Sequence, residues 1–164
     1  MAAGNTYTPL ATQTLGSSAA SVTFSSISGA YTDLVLITNV KATAGTPTIR
    51  LQFNSDTGSN YSTTLIYGDG SSPGSVRVTN EASTNSGGLA NEFGNTIFNL
   101  NNYSNSTTYK TILTRYNFIS SYSETGAKVS LWRNTAAITS ILVFPSSSTF
   151  ASGSTFTLYG IAAA

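Results

Sequence analysis

Residues 47–54 read Pro-Thr-Ile-Arg-Leu-Gln-Phe-Asn, and they set the pattern for the rest of the chain. Ile49, Leu51 and Phe53 alternate with polar or charged neighbours. Successive side chains of a β-strand point to opposite faces, so this alternation predicts a strand with one buried face and one exposed face. The same period of two residues recurs at Val22–Phe24, Val129–Leu131 and Phe156–Leu158.

Two further runs are apolar on both faces. Leu34–Ile37 reads Leu-Val-Leu-Ile, and Ile141–Phe144 reads Ile-Leu-Val-Phe. Such a run is either a central strand covered on both sides or a strand whose outer face meets a partner. The sequence leaves both alternatives open.

Glycine-rich turn signals separate these runs at short intervals, as at 28–29, 56–58, 68–70 and 86–88. No amphipathic helical stripe of useful length interrupts them. We therefore predict an all-β fold, an antiparallel β-sandwich that is jelly-roll-like, with about ten strands in a single domain spanning residues 1–164. The candidate strand ranges are 8–16, 20–28, 33–42, 47–54, 62–67, 74–80, 95–103, 108–119, 127–134, 138–145 and 154–161.

The side-chain inventory argues against an enzyme. The chain has no histidine and no cysteine, and Ser, Thr, Asn and Gly supply 80 of its 164 residues. The groups that do most acid–base, nucleophilic and thiolate–metal chemistry are therefore missing or isolated. The least unfavourable pair of acids for glycosidase chemistry is Glu81 and Glu92, which flank a glycine-rich loop. We expect no catalytic residue and no cofactor.

Charge is scarce as well. Asp, Glu, Lys and Arg make up 8% of the residues, against about 25% in typical soluble proteins. The seven cations are spread singly and the formal net charge is +1, which predicts no nucleic-acid partner. No 18 apolar residues occur together, so we expect no membrane-spanning helix. Such low charge fits a polar surface or a surface covered by partners.

Two loops carry oxygen ligands around glycine and invite a calcium interpretation. They are Asp56–Tyr61 and Gly68–Ser71. Each lacks a second nearby carboxylate, and Asp-x-Gly is a common tight turn in which Asp caps its own backbone. The sequence favours turns, so we predict no metal site.

Aromatic residues are the better functional signal. Tyrosine beside amide and hydroxyl side chains suits glycan recognition and protein interfaces equally well. The alternative is that most tyrosines are cross-strand partners along the sheets. Trp132 falls opposite the Val129/Leu131 face, so we expect it at a rim or interface. The candidate contact residues are Tyr61, Tyr67, Tyr103, Tyr122 and Trp132.

Three segments resemble one group of tailed-bacteriophage virion proteins. They are residues 150–161, which contain Gly-Ser-Thr-Phe-Thr-Leu-Tyr-Gly-Ile, residues 31–36 (Tyr-Thr-Asp-Leu-Val-Leu) and residues 50–61 (Arg-Leu-Gln-Phe-Asn-Ser-Asp-Thr-Gly-Ser-Asn-Tyr). The resemblance implies a structural protein of the virion and carries over no binding site. Within it, Gly160 suits the close approach of a neighbouring backbone, and Asp56–Tyr61 looks like a strand-to-loop corner.

These observations lead to one expected function and one alternative. We expect a capsid decoration (cement) protein on the outer surface of the virion, made in the bacterial host cytoplasm. It would form a homo-oligomer, a trimer, bound to the major capsid protein. The alternative is a tail-fibre or tail-spike domain that binds a host surface glycan.

Overall fold

A computed structural model describes residues 6–121 and 123–162, and within these ranges the chain forms twelve β-strands and no α-helix. Nor do the described residues include any helix with the length and apolar character needed to cross a membrane. The strands are β1 (Tyr7–Thr14), β2 (Val22–Phe24), β3 (Asp33–Val40), β4 (Thr48–Phe53), β5 (Tyr61–Gly68), β6 (Pro73–Glu81), β7 (Ser86–Gly88), β8 (Gly94–Asn101), β9 (Lys110–Ile119), β10 (Ser123–Trp132), β11 (Ile141–Pro145) and β12 (Thr155–Ile161).

The strands form two antiparallel sheets. The larger sheet has eight strands in the order β1-β12-β3-β8-β9-β10-β5-β6, and the smaller has four in the order β2-β11-β4-β7. The antiparallel β-sandwich predicted from the sequence is therefore confirmed. The jelly-roll arrangement is not, because a jelly roll divides eight strands between its sheets. Strands β1 and β6 form the edges of the larger sheet.

One hydrophobic core joins the two sheets. Leu34, Leu36 and Phe98 of the larger sheet pack in the same cluster as Leu51 and Val143 of the smaller sheet, and all five side chains are fully buried. Burying a large apolar side chain contributes about 1.5–3 kcal/mol, so this layer is the main favourable term in the fold.

The side chains of the apolar run at residues 34–37 point alternately to the two faces of the larger sheet. Leu34 and Leu36 face the core, while Val35 and Ile37 lie on the opposite side of the larger sheet. Ile37 remains 37% exposed. Strand β3 is therefore central in its sheet, and its outer side is not covered by the smaller sheet.

Each of the eleven candidate ranges contains a strand, but β7 was predicted as a turn. Its residues Ser86, Gly87 and Gly88 lack the side chains that mark a strand. Those glycines allow β7 to pack under aromatic rings of β9. A Cβ at Gly88 would lie 2.7 Å from Cδ2 of Phe118, and one at Gly87 would lie 3.0 Å from Cβ of Tyr116.

Candidate functional site

Trp132 belongs to the core, so the expectation that it lies at a rim or interface is wrong. Its side chain is fully buried, with its ring centroid 5.5 Å from that of Phe53 and 6.3 Å from that of Tyr61. The sequence correctly placed Trp132 on the face of β10 opposite Val129 and Leu131. It is the face with Trp132, however, that points into the core. Ser130 and Trp132 face inward, whereas Val129 is 45% exposed on the outer side.

Tyr61 is also buried, because it closes the loop that follows β4. Its hydroxyl accepts a hydrogen bond from the backbone N–H of Phe53 (3.0 Å) and donates one to the carbonyl of Asp56 (3.1 Å). Burial raises the pKa of Tyr61 to about 12. This tyrosine is a structural corner and not a surface contact.

The Asp56 carboxylate organises the same corner. It accepts hydrogen bonds from the Trp132 indole (2.7 Å), the Asn60 amide (2.9 Å) and the backbone N–H of Gly58 (2.9 Å). Burial acts to raise the pKa of Asp56, but these hydrogen bonds outweigh it and lower the pKa below its usual value. The bond from Gly58 confirms the turn predicted at Asp56.

Asp69 forms the second predicted turn. Its Oδ1 accepts hydrogen bonds from the backbone N–H groups of Ser71 (2.8 Å) and Ser72 (3.1 Å) and from the Ser71 hydroxyl (2.7 Å). The bonds from Ser71 and Ser72 lower the pKa of Asp69 to about 2. Among the described residues, no three acids lie close enough together to hold a metal ion.

The remaining candidate tyrosines differ in burial and position. Tyr103 is fully buried and donates a hydrogen bond to the Ser28 carbonyl, so it too is not a surface contact. Tyr67 is half-buried and lies with its ring over Gly74 on β6. Tyr122 lies outside the described residues. Of the four candidates that the structure describes, Tyr67 is the one that borders a surface groove.

The two acids weighed for glycosidase chemistry are differently placed. The Glu81 carboxylate lies 3.8 Å from Nη1 of Arg50, at the end of β6. Glu92 is exposed in the loop before β8. Glu81 thus serves in an ion pair that connects the two sheets.

The candidate site is the surface of the larger sheet that points away from the core, here called the outer face. The strand register places Val129 beside Leu113 and, in the next row, Ile66 beside Ala127. The exposed fractions are 62% for Ile66, 49% for Leu113 and 45% for Val129. Contiguous exposed apolar side chains of this kind mark interaction sites in soluble proteins.

Two arginines share the outer face. Arg115 on β9 pairs in register with Ala127 and with Ile97, so it lies inside the apolar rows. Arg77 on β6 pairs with Thr64. Both side chains are exposed, and neither has an ion pair or hydrogen bond to another residue of the described ranges.

An open groove of about 750 Å³ runs along the outer face near the β5–β6 turn. Ile66, Ala127 and Pro73 give it apolar walls, while Arg115 and Thr125 supply the polar groups. It has the mixed lining that suits an inserted apolar side chain beside an anionic group.

A polar cluster that sequence reasoning missed lies on the inner side of β9 and β10. The Lys128 ammonium sits 5.0 Å from the centre of the Tyr116 ring, and the Tyr116 hydroxyl donates a 2.6 Å hydrogen bond to Glu124. Burial lowers the pKa of Lys128 to about 8, although Glu124 opposes the shift. No sequence signal marked this lysine, because its inward direction depends on which face of β10 is covered.

Two of the three segments with the phage resemblance, residues 31–36 and 150–161, meet in space. Gly160 on β12 lies under the ring of Tyr31, and a Cβ there would be 2.5 Å from Cγ of that ring. The sequence led us to expect a neighbouring backbone at Gly160, but the group that packs against it is the aromatic ring of Tyr31. Thr32 donates hydrogen bonds to the Ile161 carbonyl from both its N–H (2.9 Å) and its hydroxyl (2.7 Å). These contacts give the segments an architectural role.

No protein-family model matches this chain, and no curated protein matches it significantly.

Proposed function

We propose that this protein is a non-enzymatic structural protein of a tailed-bacteriophage virion, specifically a capsid decoration protein. The observation that carries the proposal is the outer face, where large apolar side chains stay exposed on a regular eight-stranded sheet. The resemblance of three segments to tailed-bacteriophage virion proteins suggests the kind of particle to which the protein would bind. The proposed partner is the major capsid protein, and the proposed location is the outer surface of the virion.

The mechanism is thermodynamic. A protein that binds only the assembled shell stabilises that shell by mass action, by about 2.7 kcal/mol at a free concentration one hundred times its Kd. The outer face supplies the binding energy, because each apolar side chain that it buries is removed from water. A trimer of the protein would bridge neighbouring capsid subunits and oppose the pressure of the packaged DNA.

Particles with and without the protein provide the test. We expect particles that lack it to release their DNA at a lower temperature, and purified protein to restore the original release temperature. Equal release temperatures for the two kinds of particle would refute a stabilising role.

A matched pair of variants locates the contact. Val129 on the outer face and Val76 on the opposite face of the same sheet are 45% and 47% exposed. Val129→Glu should abolish restoration, since it puts a carboxylate into the apolar contact. Val76→Glu should restore as well as the original protein.

The groove favours one alternative, a tail-fibre or tail-spike domain that binds a host surface glycan. Arg115 and Thr125 supply hydrogen-bonding groups beside the apolar walls formed by Ile66 and Pro73, and a lining of this kind can orient a small polar ligand. A glycan array and inhibition of host adsorption by purified protein distinguish the two functions. A decoration protein gives no signal in either assay, whereas a glycan-binding domain gives a signal that Arg115→Ala removes.

A further inference from the structure

We propose that the outer face binds a surface of the major capsid protein that is apolar at its centre and carries carboxylates opposite Arg77 and Arg115. This inference rests on the proposed function and adds the chemistry of the partner surface.

The first step is the pairing of the cations. Five of the seven already have partners within the chain: Lys41 over the Phe93 ring, Arg50 with Glu81, Lys110 with two backbone carbonyls, Lys128 with Tyr116, and Arg133 with Ser59 and Asn80. Arg77 and Arg115 are the two whose charge finds no such partner in residues 6–121 and 123–162, and both lie on the outer face.

The second step is the cost of covering them. Arg115 has Ala127 and Ile97 as its register neighbours, so a partner that buries these rows also removes water from the guanidinium. A buried charge without a counter-charge is strongly unfavourable. Arginine is enriched in protein interfaces because its planar guanidinium binds a carboxylate with two parallel hydrogen bonds. The partner surface must therefore supply an acid at this point.

The third step favours a different protein over a second copy of this chain as the source of that acid. Five of the six carboxylates are engaged within the chain, which leaves Glu92 in the loop before β8. Asp33 shares the outer face, but its Oδ1 already accepts a 2.6 Å hydrogen bond from the N–H of Asn102. Among the described residues, the face thus has two arginines without an ionic partner, and its one carboxylate is already held by the Asn102 N–H.

The spacing gives the inference a geometric form. Three strand separations and one two-residue step divide Arg77 from Arg115, which corresponds to about 16 Å between their backbones. The groove beside Arg115 is wide enough for an apolar side chain. We expect the partner to place an apolar side chain in the groove next to one carboxylate, with the second carboxylate about 16 Å away.

Binding of the full-length protein to particles that lack it tests the charges. Arg115→Glu and Arg77→Glu should each weaken binding about tenfold or more, Arg115→Glu mostly through faster dissociation and Arg77→Glu, on the edge strand, mostly through slower association; added salt should weaken binding of the original protein. Thr23→Glu adds a negative charge on β2, on the exposed side of the smaller sheet, and should bind normally. If both reversed arginines bind like the original protein, the inference is wrong. If the original protein does not bind at all, the proposed function is wrong.

A cross-linking experiment identifies the carboxylates directly. Arg115→Lys keeps the charge and introduces an amine, which a carbodiimide condenses with a carboxylate in contact to form an amide. We expect a cross-link from residue 115 to an Asp or Glu of the major capsid protein, located by mass spectrometry. A cross-link to a second copy of this chain, or loss of the oligomer in Arg115→Glu by sedimentation, would assign the face to self-association and overturn the inference.

Discussion

The indole Nε1 of Trp132, at the end of β10, donates a 2.7 Å hydrogen bond to the Asp56 carboxylate in the loop after β4. The two residues are 76 positions apart in sequence. Trp132 ends a strand of the larger sheet, and Asp56 lies in the loop that leads from the smaller sheet to the larger one. Because Trp132 is the one tryptophan of the chain, its fluorescence reports on this junction.

Removing the Asp56 carboxylate should loosen the junction. Asp56→Ala leaves the buried indole N–H without an acceptor and should lower the free energy of unfolding by about 2–3 kcal/mol. Asp56→Asn keeps an acceptor oxygen and should cost less. Urea unfolding followed by Trp132 fluorescence measures both variants. Equal stability of Asp56→Ala and the original protein would show that the bond contributes nothing.

Tyr61 should make the fold sensitive to alkali. Its folded pKa is about 12 and its usual value is 10.0, so between these values the unfolded state loses the proton first. Stability therefore falls as pH rises, by about 1.4 kcal/mol at about pH 11 from this group. Tyr61→Phe should remove that part of the loss, although it costs about 1–3 kcal/mol at neutral pH because the Phe53 N–H loses its acceptor. Urea unfolding at about pH 9 and pH 11 provides the comparison, and an unchanged pH slope in the variant would contradict it.

Lys128 should produce the opposite slope at lower pH. Its folded pKa is about 8 against a usual 10.5, so above pH 8 the folded state loses its proton before the unfolded state does. Stability from this group then rises with pH, by about 2 kcal/mol between about pH 7 and pH 9.5. Lys128→Met keeps the apolar stem and should flatten the rise, whereas Lys41→Met should retain it. A rise that persists in Lys128→Met would assign it to another group.

Gly160 should tolerate no side chain. Gly160→Ala places a methyl group 2.5 Å from the Tyr31 ring, and the required shift should cost about 1–3 kcal/mol. Gly68→Ala is the control, because a Cβ there meets no atom within 4 Å. Thermal unfolding should separate the two variants. Equal melting temperatures would mean that the Tyr31 ring moves aside without cost.

The sequence predicted the sheets well because a period of two residues is a local signal. Where Ile49, Leu51 and Phe53 face the core, polar neighbours face out, and no tertiary knowledge is needed. Strand β7 was missed because its glycines carry no pattern, and their function is to leave room for the rings of Tyr116 and Phe118.

The site was harder to predict because it depends on which face of each strand is covered. On β10 the buried inner residues are Lys128, Ser130 and Trp132, and Val129 is among the exposed ones. Hydrophobicity alone therefore assigns the faces in reverse. Tyr61 and Tyr103 sit beside loops in sequence, yet their rings turn inward and their hydroxyl groups bind the backbone.

Strand β6 ends the larger sheet, so one side of its backbone has no neighbouring strand. Such an edge leaves backbone N–H and C=O groups unpaired, and an extended segment of another polypeptide can pair with them. Concentrated stocks of the purified protein will thus tend to aggregate by strand addition at β6. Substituting lysine for Val76 there is a practical first step toward samples that remain dispersed.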